Sequence, residues 1–208
     1  MKEACRLGTD SHAGMSCVGR HTSIVEIIEG QRCTVYPFND TYSPMEEIHT
    51  VNAAFAHDTN DGRMFVLHVN NALDFTSSVK SSILCTNQAR SNGIIVDDAP
   101  NMVDVKESST HSIVFPNEEI NLPLSIHGPV SYLPVRYPSN EHTENEQHLH
   151  LTDGDVVWDP DILSEVKNVA TYFTQQTNND FSDGDNNLSH TENDIHSENY
   201  CHKLGSGS

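Results

Sequence analysis

Short apolar runs broken by turn residues dominate this sequence, and they restrict it to a mainly β fold. Residues 22–28 are rich in β-branched side chains, Gly30 and Gln31 supply a turn, and residues 32–38 read as the returning strand. Residues 48–57 and 64–70 flank Asp58, Thr59, Asn60, Asp61 and Gly62, whose Asp-Gly step is a strong hairpin signal. Residues 93–97, 111–115, 120–126 and 130–135 give four more short strands between Pro- and Gly-bearing turns. Helical spacing is rarer. Residues 81–91 fit a short helix. Ile162, Val166, Val169, Ala170 and Phe173 fall on one face of a second over residues 161–173, with Asp159 or Asp161 as its cap. Strands of this number and spacing predict a small barrel or sandwich.

Charge divides the chain. Thirty acids against 11 bases in 208 residues give a formal net charge of −19. Residues 1–140 hold 16 acids and 9 bases, whereas residues 141–208 hold 14 acids and 2 bases. Phosphate contacts need clustered Lys and Arg, so no nucleic-acid partner is expected, and no anionic membrane surface either. No apolar run reaches the roughly 20 residues of a membrane span. The first six residues carry no apolar leader, and five Cys without a C-x-x-C pair make neither a disulfide framework nor a zinc finger. The expectation is an intracellular, cytoplasmic protein with reduced thiols. Residues 1–140 read as the β domain and residues 141–173 as an acidic linker with a helix. Residues 174–208 read as a disordered acidic tail, because they offer too little apolar surface to offset their ordering entropy. The final Leu204-Gly205-Ser206-Gly207-Ser208 looks like a linker remnant.

The densest local signal is Asp10-Ser11-His12-Ala13-Gly14. An Asp followed by a small hydroxyl residue near the start of a β-rich chain is how aspartic proteases present a carboxylate. That chemistry needs two carboxylates sharing one proton, one to deprotonate a water and the other to protonate the carbonyl oxygen. As a bare string Asp-Ser is common, and its ordinary reading is a turn in which Asp10 or Ser11 caps a backbone group.

The wider pattern resembles the aspartic protease region of copia-like retrotransposon Gag-Pol polyproteins. Asp10-Ser11-His12-Ala13 is followed by Cys17-Val18-Gly19, by Val35-Tyr36-Pro37-Phe38 and by Tyr42-Ser43-Pro44-Met45. Ile83-Leu84-Cys85-Thr86-Asn87-Gln88-Ala89-Arg90 and Asn92-Gly93-Ile94-Ile95-Val96 then resemble the family's Leu-Leu and Asn-Gln-Leu-Arg block. The similarity runs from about residue 9 to 160 and rests on the order of its blocks. It implies a small closed retropepsin-like β-barrel with one or two short helices, active as a homodimer on an extended peptide of a polyprotein. Asp10 of each subunit would be catalytic. Ser11, His12 and Ala13 would support the active-site loop, and Ile83 and Leu84 would pack beneath it. The hairpin tip at Asp58, Thr59, Asn60, Asp61 and Gly62 is the candidate flap, chosen on topology. No cofactor and no metal are called for. His12 stands where retropepsins outside this branch carry Gly, and Gly14 where many relatives carry a second Asp. The second reading is therefore a catalytically inactive interaction or structural module of the same fold.

Weaker signals have plainer readings. His148-x-His150, with His142 nearby, has the residue types of a zinc or copper site but sits among Glu141, Glu144 and Glu146, where a solvated loop is the simpler reading. Cys17 with His21 offers a thiol and a base without an orienting partner, so a buried structural Cys is favoured. His12 as a general base competes with a plain turn residue. Asp97 with Asp98 and Glu118 with Glu119 read as solvated loop acids. Asp153, Asp155, Asp159 and Asp161 lack the central Gly and final Glu of a calcium loop.

Overall fold

The computed structural model describes residues 5–36, 41–100, 109–139 and 146–160. The chain is mainly β. β1 (Cys5–Asp10), β2 (Cys17–Val18), β3 (Ser23–Val35), β4 (Met45–Asp58), β5 (Met64–Asp74) and β6 (Ser82–Cys85) precede a single-turn helix, α1 (Thr86–Ser91). β7 (Ile95–Asp97), β8 (Ser112–Phe115), β9 (Ile120–Pro123), β10 (Ser125–His127), β11 (Val130–Val135) and β12 (Gln147–His150) follow. Among the described residues no helix is long and apolar enough to cross a membrane.

β4 and β5 form the centre. Their antiparallel register sets Phe55 opposite Leu67, Ala53 opposite Val69 and Val51 opposite Ala72. All six are removed from solvent. Each large side chain so buried contributes about 1.5–3 kcal/mol, and a one-residue slip would move the whole set to the opposite face of the sheet, which fixes the register. β5 is covered on both faces, so its sequence reads as a near-continuous apolar run.

The main sheet has the order β10-β11-β1-β6-β2-β5-β4-β3, with β12 also on β5, and β7-β8-β9 form a separate sheet. The expected closed barrel is not what these pairings make: no sheet closes, and β10 and β3 are its two ends. The sheet does curl. Ala56 of β4 and Arg136, one residue beyond β11, exchange two backbone hydrogen bonds of 2.9 Å in an isolated bridge. Three of its pairings are parallel: β1 with β6, β2 with β5 and β12 with β5.

Several local readings are revised. Residues 81–91 divide into β6 and α1, because Ile83 and Leu84 alternate across a sheet before Cys85 caps the helix. Residues 120–126 break at Leu124 into β9 and β10. Residues 147–150, read as part of a solvated loop, are β12, with Leu149 buried between His148 and His150. A compact unit runs through Trp158, so part of the assigned acidic linker belongs to the main sheet. Residues 161–208, which hold the expected second helix, the acidic tail and the linker remnant, lie outside the described residues, as do residues 140–145 with His142.

Candidate functional site

β1 delivers Asp10 to its C-terminal end. Leu7 on that strand is buried in the main core, and the parallel pairing with β6 sets Thr9 opposite Leu84 and Asp10 opposite Cys85. Thr9 Oγ1 donates to the Ser131 carbonyl at 3.1 Å, which ties the strand to β11. The chain then turns sharply. The His12 amide donates to Asp10 Oδ1 at 2.8 Å, an Asx turn of the kind the short motif alone suggests. The Asp10 side chain is 34% exposed and that of His12 85%. His12 Nδ1 lies 3.8 Å from Asp10 Oδ1 and 3.3 Å from Ser11 Oγ. Ser11 and His12 thus face outward, whereas Ala13 is buried.

The loop that carries Asp10 is held from beneath by β6 and α1. The Cys85 thiol donates to the Ala13 carbonyl at 2.9 Å, and the Cys85 amide donates to Ser16 Oγ at 3.0 Å. Asn87 Nδ2 donates to the Ser11 carbonyl at 3.1 Å. Gln88, buried at the helix centre, accepts the Ser16 amide at 3.1 Å. Burial pushes the Cys85 thiol pKa up, so it stays a neutral donor to Ala13. Burial likewise pushes the Cys17 thiol up to about 11, away from the thiolate that a nucleophile needs.

Leu84, on β6 beside β1, is fully buried in the main core. Ile83 points to the opposite face, because successive side chains of a strand alternate. There Cys17, Leu73 and Phe75 form a second apolar cluster, against which Ile83 and Met15 pack. Cys33 and Val35 of β3 and Ile48 of β4 pack on the same cluster. The outer half of the β3–β4 hairpin therefore shares a cluster with the segment that follows Asp10.

The expected flap tip lies elsewhere. Asp58, Thr59, Asn60, Asp61 and Gly62 do form the β4–β5 turn, closed by the Thr59 amide on the Arg63 carbonyl. Arg136 grips Asp58 through two nitrogens, Nε to Oδ2 at 2.6 Å and Nη2 to Oδ1 at 2.8 Å. Val135, next to Arg136, pairs with Cys5, at the opposite end of β1 from Asp10. Five residues of strand span about 17 Å. A tip pinned at that end is not poised over Asp10, and this corrects the choice made on topology.

The remaining candidates find ordinary partners. Asp97 accepts Ser109 Oγ at 3.0 Å and Thr110 Oγ1 at 3.1 Å, and Asp98 pairs with Arg90 at 3.5 Å, so neither is simply solvated. Asp153 Oδ1 caps the Asp155 amide at 2.8 Å. His68 of β5, which the sequence did not single out, joins His148 and His150. Its Nε2 lies 2.8 Å from His148 Nδ1, and its ring stacks on His150 with centroids 4.6 Å apart. Among the described residues no three His, Cys, Asp or Glu side chains are grouped to hold a metal. Trp158, which belongs with Asp159 and Pro160 to the last of the resembling blocks, was given no place at the Asp10 loop by the sequence, yet its indole N–H donates to the Gly14 carbonyl at 2.7 Å. Comparison with protein-family models, with curated proteins and with solved structures gave no match.

Proposed function

We propose that this chain is an aspartic endopeptidase domain of the copia-like retroelement type, acting as a homodimer on extended peptides. The observation that supports it is Asp10 at the end of a strand parallel to β6, partly exposed on a loop fixed by Cys85, Asn87 and Gln88. A fixed, accessible carboxylate is what activation of a water requires. A second Asp10, brought by a second copy across the exposed Ser11 and His12, completes the pair. One carboxylate removes a proton from water as the other protonates the scissile carbonyl oxygen, and the amine leaves with a proton returned from the pair. In this reading the β3–β4 hairpin covers the peptide, since its outer half packs on the cluster that also holds Met15 and Ile83. The bridge between Ala56 and Arg136 agrees with a sheet curled toward a retropepsin-like barrel. A peptide in extended form would pair through its main chain, with side chains alternating between pockets.

One observation favours the inactive-module reading: Asp10 Oδ1 already accepts the His12 amide, as an ordinary Asx turn would. Hydrolysis of a peptide library at mildly acidic pH, with and without pepstatin, separates the two. Pepstatin-sensitive cleavage lost in Asp10→Asn is the expected result. Cleavage undiminished in that variant refutes the protease reading, and no cleavage by wild-type protein at any concentration favours the module.

A further inference from the structure

Trp158, the single tryptophan of the chain, ends a segment with an unusual set of tethers. β12 runs parallel to β5, and the Leu151 amide beyond it donates to the His68 carbonyl at 2.8 Å. From there the chain crosses β5 on side-chain hydrogen bonds. Thr152 Oγ1 accepts the Asn70 amide at 2.6 Å and donates to the Asn70 carbonyl at 2.8 Å. Asn70 Nδ2 returns a bond to the Thr152 carbonyl at 2.9 Å. Asn71, in the left-handed region with φ 53°, donates Nδ2 to the carbonyls of Asp153 and Val156, both at 3.0 Å. Gly154 passes so near that a Cβ on it would stand 3.1 Å from Asn70 Nδ2. The segment then reaches the Asp10 loop, where Trp158 Nε1 donates to the Gly14 carbonyl.

The far end of that loop returns to the same two asparagines. Gln88 accepts the Ser16 amide and donates Nε2 to the Asn70 and Asn71 carbonyls at 3.0 and 3.2 Å. Both sides of the loop are thus referred to Asn70 and Asn71, one through Gln88 and the other through Trp158. Gly14 is the residue with most need of such a tether, because a glycine peptide is the least restrained by its own side chain.

We propose that residues 151–158 are a latch that sets the conformation of the Asp10 loop, with Trp158 as its positioning residue. Trp158 bonds a carbonyl four residues from Asp10 and acts on the carboxylate through the loop. The catalytic consequence rests on the protease reading; the latch itself does not.

The test uses the full chain and two variants. Trp158→Phe keeps an aromatic ring and removes the N–H, and Gly154→Ala displaces the segment against Asn70 while leaving Trp158 in place. Amide hydrogen exchange is followed at His12 and Ser16 and across β4 and β5, with peptide hydrolysis in parallel. Weakening of one hydrogen bond predicts exchange at His12 and Ser16 faster by about tenfold in both variants, with β4 and the part of β5 outside Asn70 and Asn71 unchanged. Hydrolysis then loses kcat at constant KM. Unchanged exchange at His12 and Ser16 in the folded variants overturns the latch, whether or not the protein cleaves peptides. Equal acceleration throughout β4 and β5 makes Trp158 a general prop and also overturns it, whereas an unaltered kcat in an active protein overturns its catalytic consequence. Loop exchange that responds in a wild-type protein without hydrolysis removes the protease reading and leaves the latch standing.

Discussion

In the proposed protease Asp10 has two duties, which a single substitution separates. Asn at this position keeps an oxygen for the His12 amide but cannot exchange a proton, so Asp10→Asn is expected to change the unfolding free energy by less than about 1 kcal/mol while hydrolysis falls by at least ~10²-fold. Thermal denaturation beside the cleavage assay checks both halves. His68 makes a separate prediction. Burial, then His150 and His148, hold its pKa down to about 4 from the ordinary 6.5. Its β4 partner, Ala54, adds no charge. Between those two pH values the folded imidazole is neutral and the unfolded one protonated, so the unfolded chain binds more protons. His68 therefore contributes stability that is present above about pH 6.5 and lost as pH falls toward 4. The melting temperature of wild type should fall across that window more steeply than that of His68→Phe, which keeps a ring to stack on His150. Equal slopes would show that His68 does not titrate this way. Asp10 was legible because its motif is local. His68 was not, since only pairing between β5 and β12, about 80 residues apart, brings it to His148 and His150.

Among the elements, those with strong alternation or a turn signal could be read from sequence: β4, β5, β8 and β11 sit close to their expected positions. Residues 22–38, read as a strand, a turn at Gly30 and Gln31 and a returning strand, give no hairpin, because residues 23–35 run on as the single strand β3 along β4 with a register shift between Ile27 and Arg32. β1 carries Arg6 and Gly8 around one buried Leu7, and its pattern shows only once β6 and β11 flank it. β12 did have a signal, Leu149 and Leu151 alternating with two histidines, but its acidic surroundings masked it. β2 is two residues long and is defined by partners rather than by composition. Its exit shows how tight that packing is. Gly19 donates its amide to Ser82 Oγ at 2.9 Å, and a Cβ there would meet the carbonyl oxygens of Ser81 and Val79 at 2.7 and 2.9 Å. These are backbone atoms that cannot swing aside, so Gly19→Ala should cost about 1–3 kcal/mol. A lower urea midpoint at constant m-value is the expected readout, and a wild-type midpoint would mean that the 79–81 segment yields freely.

For the molecule as a whole, the decisive property is that one chain supplies one Asp10. The proposed dimer would have to form against a formal charge of −19 per copy, most of it after residue 140. Surface charges of one sign repel at a range set by the Debye length, about 10 Å at 0.1 M salt and about 3 Å at 1 M. Electrostatics therefore oppose association most at low ionic strength, while burial of apolar surface on the β3–β4 hairpin, such as the exposed Val25 and Ile27, is little weakened by salt. The dimer fraction measured by sedimentation should rise from low to high salt at fixed protein concentration. Hydrolysis per protomer should rise with it and depend on concentration, since an isolated chain lacks the second carboxylate. Mixing in Asp10→Asn should depress activity by more than dilution alone, because mixed dimers pair one carboxylate with a carboxamide. A protein that stays monomeric at every salt concentration, yet cleaves at a rate proportional to its concentration, would refute the two-copy site. A monomer that cleaves nothing would leave the Asp10 loop as the well-held turn of a binding module.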